Sequence, residues 1–80
     1  MKKALLYIVR SIVTSEDLVE VSEEEEDGII NFTIKVAVSD MGRVIGKSGK
    51  VIRSIRNVLK INALKQNKKI NITLAENSTP

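Results

Sequence analysis

The sequence contains no cysteine and no histidine, and these two absences exclude several classes of protein. Without cysteine the chain has no disulfide framework and no thiol chemistry. Without histidine it lacks the commonest general base and the commonest metal ligand. We therefore predict a protein that is not an enzyme, with no catalytic residue, no metal site and no cofactor. On this ground alone most familiar active sites are excluded, whereas one built entirely from carboxylates is not.

Long hydrophobic runs are also missing from the chain. The run from Ala4 to Val9 has six apolar residues before Arg10, fewer than the roughly seven to fifteen of a signal peptide, and no small-residue cleavage site follows it. No stretch approaches the roughly 20 apolar residues that span a bilayer. We expect a cytoplasmic protein without membrane contact. At 80 residues, of which 42% are hydrophobic, the chain has room for one domain.

Charge is distributed unevenly along the chain. Four basic and nine acidic side chains give residues 1–40 a net charge of −5, whereas nine basic side chains and one acidic side chain give residues 41–80 a net charge of +8. This asymmetry indicates a basic face for a polyanion, with the acidic residues placed elsewhere. We interpret the acidic run Glu23–Asp27 as a solvated strand end rather than as a metal site.

The first half of the chain predicts a helix followed by a β-hairpin. Apolar residues recur at helical spacing over residues 2–13, which predicts an amphipathic helix. A short alternation predicts a strand from Leu18 to about Glu25, and a longer one predicts a second strand. Asp27 and Gly28 between them are a strong signal for the hairpin turn. The alternating apolar residues of the second strand are Ile30, Phe32, Ile34, Val36 and Val38.

The second half predicts two helices and a final strand. Ser39 is the predicted N-cap of a short helix over residues 40–45, with Asp40 favourably placed at its positive end. A longer helix is predicted over residues 50–66, and the alternation of residues 70–74 predicts a strand. Residues 76–80 are predicted to form a flexible tail.

Gly46 and Gly49 frame the stretch around which the rest of the chain is organised, residues 44–53. We predict that Gly46 ends the short helix and Gly49 begins the long one, because glycine reaches positive φ without penalty and lets a ligand's backbone come close. The N–H groups at the start of the long helix would then face outward at its positive dipole end, with Lys47 and Lys50 beside them. This arrangement predicts a cradle for a phosphate backbone.

A second interpretation of this stretch is a nucleotide-binding phosphate loop. Residues 42–48 are similar to G-x-x-x-x-G-K-S, but three residues separate Gly42 from Gly46 where that loop requires four. A chain of this length also leaves little room for the parallel sheet and the second acidic motif with which an NTPase holds magnesium. The spacing therefore argues against nucleotide hydrolysis, and an assay with and without magnesium tests it.

The segment from Ile45 to Ile52 resembles the signature of KH domains, in which a GXXG loop joins two helices and clamps about four nucleotides. The wider run Asp40–Lys47 resembles the bacterial single-KH-domain proteins of the KhpA family, and the resemblance covers almost the whole chain. It implies a type II (prokaryotic) KH domain. This is an α+β fold of order α-β-β-α-α-β, with helices packed on one face of a three-stranded sheet. Residues 1–28 would form its N-terminal helix and first strand, and residues 29–75 its KH core with the GXXG loop at 46–49.

The resemblance also implies where single-stranded RNA would bind. Loop N–H groups would hold phosphates, cations would attract them, and apolar groove residues would contact bases. Lys68 and Lys69 would flank the groove from a variable loop before the last strand, whereas Arg56, Lys60 and Lys65 are interpreted as ordinary solvated helix residues. The residues that we assign to RNA binding are Arg43, Val44, Ile45, Gly46, Lys47, Ser48, Gly49, Lys50, Ile52, Arg53, Lys68 and Lys69.

Aromatic side chains are scarce, since the chain has only Tyr7 and Phe32. Phe32 falls in the apolar register of a strand, so we expect it in the core rather than stacked on a base. Because stacking is worth about 1–3 kcal/mol per base, we predict weak, broad binding that relies on a second RNA-binding unit. The family resemblance implies a KhpB/Jag-type partner protein and a link to cell-envelope and division control. A homodimer is another route to two grooves, with Ile61 and Leu64 as candidate contacts.

Two functional hypotheses follow from these features. The first is a non-catalytic RNA-binding module that acts as an RNA chaperone or post-transcriptional regulator. The second is a protein-interaction or dimerisation module that keeps the KH shape but has little RNA affinity. The intact Gly-x-x-Gly and the positive charge of residues 41–80 favour the first.

Overall fold

The computed structural model describes residues 1–77 and confirms the predicted order of elements. Single 3₁₀ turns at Glu16–Leu18, Val38–Asp40 and Lys47–Gly49 join some of the main elements. The helices and strands are α1 (Lys2–Ile12), β1 (Glu20–Glu26), β2 (Ile29–Val36), α2 (Met41–Ile45), α3 (Lys50–Lys65) and β3 (Lys69–Glu76).

The three strands form one mixed sheet in the order β1-β2-β3. β1 and β2 are antiparallel, with Val21 opposite Ile34. The predicted hairpin turn joins them, and Asp27 (φ 53°) and Gly28 (φ 77°) both adopt the positive φ that a type I′ turn requires. β2 and β3 are parallel, with Phe32 beside Ile72. A parallel pair needs a crossover, and α2 and α3 supply it.

The core lies between the helices and one face of the sheet. Phe32 is fully buried at its centre, which confirms the prediction that this ring packs in the core, whereas Tyr7 on α1 is 76% exposed. On the opposite face of the sheet, Asn71 Nδ2 donates a hydrogen bond to Asn31 Oδ1 at 3.1 Å. The largest buried apolar side chains besides Phe32 are Leu5, Val9, Ile34, Val36, Val44 and Leu59.

The first two strands differ from the sequence-based expectation at their ends. Leu18 lies in a 3₁₀ turn and β1 begins only at Glu20. β2 ends at Val36, so Val38 leaves the alternating pattern and is 55% exposed. Val38 continues the apolar alternation of the sequence although the chain has already turned towards α2. An apolar residue fits the same pattern whether it lies in a strand or in the turn that follows it.

The last strand is longer than predicted. Glu76 belongs to β3, where it pairs with Val36, so the flexible tail predicted from Glu76 is wrong at this residue. Asn77 is also held, because its N–H donates to the carbonyl oxygen of Val36 at 2.7 Å and its Nδ2 donates to that of Leu18 at 2.9 Å. The rest of the predicted tail, residues 78–80, lies outside the described residues.

Candidate nucleic-acid interface

The turn between α2 and α3 has the geometry that its two glycines predict. Gly46 ends α2 with φ 74° and ψ 173°, and its N–H donates to the carbonyl oxygen of Gly42 at 2.9 Å. Gly49, with φ 74° and ψ 15°, is the N-cap of α3. Between them Ser48 also adopts a left-handed conformation, with φ 56°. The backbone therefore reverses sharply within four residues, as the predicted cradle requires.

The two glycines are needed for different reasons. The conformation of Gly46 is one that only glycine adopts readily, and a Cβ there would lie 2.9 Å from the backbone nitrogen of Val51 and closer still to its side chain. A Cβ on Gly49 would meet mainly open space, with Arg53 Nε at 4.0 Å. Gly46 is therefore fixed by packing as well as by φ, and Gly49 by φ alone.

Arg53 reaches back from the first turn of α3 to the loop. Its Nη2 donates a hydrogen bond to the carbonyl oxygen of Ser48 at 2.7 Å, and its Nε donates to that of Gly49 at 3.3 Å. Both accepting carbonyls belong to residues with positive φ. The guanidinium thus stabilises the reversal of the backbone between α2 and α3, and these two carbonyl oxygens face it.

The start of α3 is positive and has no competing acid. Its N-cap is a glycine, so no side chain caps the first-turn N–H groups, and the first turn contains no acidic residue. The N–H of Lys50 donates to the carbonyl oxygen of Lys47 in the preceding 3₁₀ turn. The other first-turn N–H groups have no partner inside the helix and carry the positive end of the helix dipole. Lys47 and Lys50 are exposed beside them. An anion at this point would meet both fixed backbone dipoles and mobile charge.

Asp40 anchors the start of α2, in a way that the sequence did not predict. Its carboxylate is fully buried and accepts hydrogen bonds from the N–H of Thr14 at 3.0 Å, the hydroxyl of Thr14 at 2.8 Å and the N–H of Ser15 at 3.0 Å. The backbone hydrogen bonds from Thr14 and Ser15 are the main reason that its pKa is lowered; burial opposes them, while the Thr14 hydroxyl and the Arg43 guanidinium assist. Asp40 therefore connects the segment that follows α1 to the start of α2, the helix that precedes the turn.

The predicted cap at Ser39 is therefore wrong. Ser39 is exposed within a 3₁₀ turn, and Asp40 is the N-cap residue of α2, although its side chain makes no capping hydrogen bond. The carboxylate points instead to the segment after α1. Arg43 is 58% exposed at its side chain, with its Nε 3.6 Å from Asp40 Oδ1.

The three apolar residues assigned to the groove lie in different environments. Val44 is fully buried in the core. Ile45 is 39% exposed, and Ile52 is half-buried against the core. Of these three, Ile45 and Ile52 therefore present apolar surface next to the turn, while Val44 packs α2 against the rest of the domain.

Lys68 and Lys69 lie at the other end of α3 from the turn. This helix has 16 residues and is therefore about 24 Å long. Lys68 Nζ pairs with Glu25 Oε1 at 2.8 Å, and the N–H of Lys69 donates to the carbonyl oxygen of Gly28 at 3.0 Å. Both lysines border a groove that is also lined by Arg56 and Lys60, two residues for which the sequence predicts only ordinary solvation.

An exposed apolar ridge runs along the outer face of α3. It consists of Val58, Ile61 and Leu64, which are 47%, 58% and 62% exposed. The three residues follow each other at intervals of three, so they are neighbours on the helix surface. The candidate partner contacts Ile61 and Leu64 thus belong to one continuous strip that also includes Val58.

The structure also bears on the second interpretation of residues 42–48, a nucleotide-binding phosphate loop. Gly42 lies inside α2, so residues 42–45 form a helix and not the open loop that cradles a nucleotide. Within residues 1–77, no helix is both long and apolar enough to cross a membrane.

The order α-β-β-α-α-β, the mixed sheet with helices on one face, and the glycine-framed turn between α2 and α3 define a type II KH domain. A family model described as the KH domain of KhpA and KhpB matches residues 2–74. The chain belongs to this family. This membership confirms the predicted family, the predicted fold and the prediction that the chain is not an enzyme.

Several curated relatives are similar over most of their length. An RNA-binding protein KhpA from Clostridium acetobutylicum is 44% identical over 70 residues, which cover 88% of this chain and 93% of the relative. One from Clostridium perfringens is 40% identical with the same coverage. One from Listeria monocytogenes is 34% identical over 76 residues, which cover 95% of this chain and all of the relative.

Proposed function

We propose that this protein binds single-stranded RNA, holding the phosphate backbone on the turn between Gly46 and Gly49. The observation that carries the proposal is the shape of this turn, which presents the uncapped, positively charged start of α3. A ligand backbone can approach closely at Gly49, where the space that a Cβ would take is nearly open. The names of the relatives, each an RNA-binding protein KhpA, support RNA as the ligand.

The residues around the turn have different roles in the proposed binding of RNA. The N–H groups of Gly49 and Lys50 donate to carbonyl oxygens of the turn itself, so the remaining loop and first-turn N–H groups hold phosphate oxygens. Lys47 and Lys50 supply the salt-dependent attraction. Ile45 and Ile52 contact bases through their exposed apolar surface. Phe32 is buried and cannot stack on a base, and the exposed Tyr7 lies on α1 and not in the turn. Little stacking energy is therefore available at the turn. The single domain therefore binds weakly and with little sequence preference.

The test is fluorescence-anisotropy binding of a short single-stranded RNA to the wild type and to Lys47→Asp with Ser48→Asp, at low and moderate salt. Acids in the loop repel phosphate, so we expect binding to fall at least tenfold while circular dichroism shows an intact fold. Lys65→Asp with Ser22→Asp makes the same change in net charge at two exposed positions away from the turn. Equal losses in both variants, or no loss in the loop variant, would reject this site.

A second RNA-binding unit completes the function. In this proposal the chain acts in the cytoplasm as an RNA chaperone or post-transcriptional regulator, together with a KhpB/Jag-type protein, in cell-envelope and division control. The pairing of KhpA and KhpB in the description of the matched family supports such a partner. Two linked grooves would raise the overall affinity without any new contact in either one.

The exposed ridge on α3 favours a second candidate function, that of a protein-interaction or dimerisation module with little RNA affinity of its own. Ile61 and Leu64 are more than half exposed, and water-exposed apolar strips of this kind are typical of contact surfaces. Ile61→Glu with Leu64→Glu should convert an oligomer into a monomer in sedimentation or light scattering. An unchanged mass in solution would rule out this ridge as the self-contact.

A further inference from the structure

The outer face of α1 carries an exposed aromatic side chain. Tyr7 is 76% exposed, although aromatic rings usually bury most of their surface. It lies in a shallow groove of about 320 Å³ that is formed by α1 and the 3₁₀ turn after it. The residues that line this α1 groove are Lys3, Leu6, Tyr7, Arg10, Ser11 and Glu16.

We infer that the α1 groove is a second contact site for single-stranded RNA, in which a base stacks on Tyr7 while Lys3 and Arg10 bind phosphates. The inference rests on the proposed function, because it takes RNA as the ligand of the protein, but it assigns a surface separate from the Gly46–Gly49 turn. One domain would then hold two strands, or two parts of one strand, at the same time. Contact with two strands at once would allow a single domain to promote their pairing.

Positive charge on α1 is the first argument for this site. The helix contains Lys2, Lys3 and Arg10 and no acidic residue, although the four basic and nine acidic side chains of residues 1–40 give that half a net charge of −5. Lys3 and Arg10 take no part in the two salt bridges found within residues 1–77. The one acid of the groove, Glu16, lies beyond the C-terminal end of α1. A phosphate is therefore attracted to the part of the groove that α1 itself forms.

The order of side chains along α1 is the second argument. Lys3 precedes Tyr7 by four residues and Arg10 follows it by three, spacings at which side chains are neighbours on a helix. The two cations are about 10 Å apart along the axis, with the ring between them. Surfaces that bind single strands combine cations for the backbone with aromatic rings on which bases stack. The α1 groove offers both features within two helical turns.

The α1 groove and the turn share no residue. Ile8 and Ile12, on the neighbouring face of α1, line a different groove together with Lys50 and Val51 at the start of α3. The six residues of the α1 groove include none from α2, the turn or α3. Two RNA segments, one on the turn and one on Tyr7, would therefore not compete for the same side chains.

An acidic protein segment is another ligand that these cations could attract. A protein contact usually has several apolar side chains at its centre. Here one flat ring is exposed between two charges, and the apolar neighbour Leu6 is half-buried. The arrangement therefore favours a base and its phosphates over an acidic peptide.

The test follows the ring resonances of Tyr7 by NMR, which need no further assignment because the chain has a single tyrosine. The probe is a four-nucleotide oligoadenylate, since a KH turn by itself accommodates about four nucleotides. A stacked base should shift these resonances upfield through its ring current. Half of the shift should require about tenfold more RNA than half-saturation of the turn, because one ring and two cations supply the whole affinity. The loop variant Lys47→Asp with Ser48→Asp should show the same Tyr7 shift.

Substitutions in the α1 groove should weaken this site and leave the turn unaffected. Lys3→Gln with Arg10→Gln should raise the midpoint of the Tyr7 shift about fivefold and lower its salt slope by about 1.4, or 0.7 for each lost phosphate contact. Lys2→Gln with Lys65→Gln is the matched control, since it removes the same charge from exposed positions outside the groove. Tyr7→Leu, followed through the amide of Arg10, should weaken the site about tenfold through the loss of stacking.

Four results would overturn the inference while binding on the turn stands. They are Tyr7 resonances that stay unchanged well past saturation of the turn, a control variant that loses as much as the groove variant, a Tyr7 shift that disappears in the loop variant, and a tetraglutamate peptide that shifts Tyr7 as strongly as the RNA does. Adenosine monophosphate with the same midpoint as the four-mer would assign the groove to a free nucleotide and not to a strand. Wild-type affinity of the loop variant in anisotropy would instead overturn the proposed function.

Discussion

The guanidinium of Arg53 lies 2.7 Å from the carbonyl oxygen of Ser48 and so braces the turn that it follows. Ser48 has a φ of 56°, a conformation that costs a non-glycine residue roughly 1–2 kcal/mol. The second hydrogen bond of Arg53, to Gly49, holds the other left-handed residue of the turn. Arg53 is therefore bound to the protein's own backbone. In the proposed function it would act on a phosphate chiefly through the shape of the loop.

The first prediction concerns the two hydrogen bonds that Arg53 donates to the turn. Arg53→Lys keeps the charge but loses the planar fork that reaches two carbonyls at once. We expect amide hydrogen exchange in residues 47–49 to become severalfold faster, and RNA affinity to fall about as much as in Arg53→Ala. Lys50→Ala is the control, because it removes a charge beside the turn without removing those hydrogen bonds. If Arg53→Lys behaves like the wild type, Arg53 contributes charge alone.

The second prediction ranks three glycines by how much their replacement with alanine changes the free energy of unfolding. Gly46→Ala should lower the free energy of unfolding by about 3 kcal/mol or more, because strain and a clash with Val51 combine. Gly49→Ala should cost about 1 kcal/mol, from its left-handed φ alone. Gly42→Ala, in a helix with open space around it, should be neutral or stabilise by up to about 1 kcal/mol. Urea unfolding of the three variants gives the ranking, and equal costs at 46 and 49 would contradict it.

The third prediction uses the buried carboxylate of Asp40. Its pKa is lowered from 3.8 mainly by the backbone N–H groups of Thr14 and Ser15. A carboxyl whose pKa is lower in the folded state stabilises the fold fully above its unfolded pKa, and this contribution is lost as the pH falls through the folded pKa. Asp40→Asn should therefore lower the Tm by several degrees at pH 7, and the difference should shrink below about pH 4.

Asp17→Asn is the control for this pH dependence, since Asp17 is an exposed acid in the turn before β1. It removes the same charge and should leave the Tm nearly unchanged at pH 7. A deficit in Asp40→Asn that stays constant from pH 7 down to pH 2 would show that the carboxylate acts through shape and not through its charge.

The sequence predicted those parts of the fold that depend on neighbours in the chain. Asp27-Gly28 specified its turn through two residues with positive φ, and Gly46 and Gly49 specified theirs in the same way. The order of elements followed from periodicity. The role of Asp40 was not accessible in this way, because its partners at Thr14 and Ser15 are about 25 residues away in sequence. An aspartate suits both the start of a helix and the anchoring of a distant segment, so the residue type alone did not distinguish these two roles.

The candidate site likewise has one part that the sequence predicted and one part that it did not. The turn is local, so its glycines and lysines were found from spacing. The groove that Lys68 and Lys69 border depends on where β3 docks beside α3, which brings Arg56 and Lys60 next to Lys69. No pattern in the sequence gives that distance. The stripe of cations on α3 was visible, but a solvated helix face carries the same stripe.

The fourth prediction distinguishes packing from binding in α2. Val44 is fully buried, whereas its neighbour Ile45 is 39% exposed. Val44→Ala should therefore lower the free energy of unfolding by about 2 kcal/mol, from lost burial and the cavity left behind. Ile45→Ala should cost less than about 1 kcal/mol and weaken RNA binding severalfold, because it removes apolar surface beside the turn.

Both measurements are needed on both variants, by urea unfolding and by anisotropy under conditions in which more than nine-tenths of the protein is folded. Val44→Ala should bind RNA like the wild type once its folded fraction is matched. A folded Val44→Ala that binds weakly would mean that α2 shifts when its buried anchor is shortened. In that case the position of α2, and not the surface of Ile45, would set the affinity of the turn for RNA.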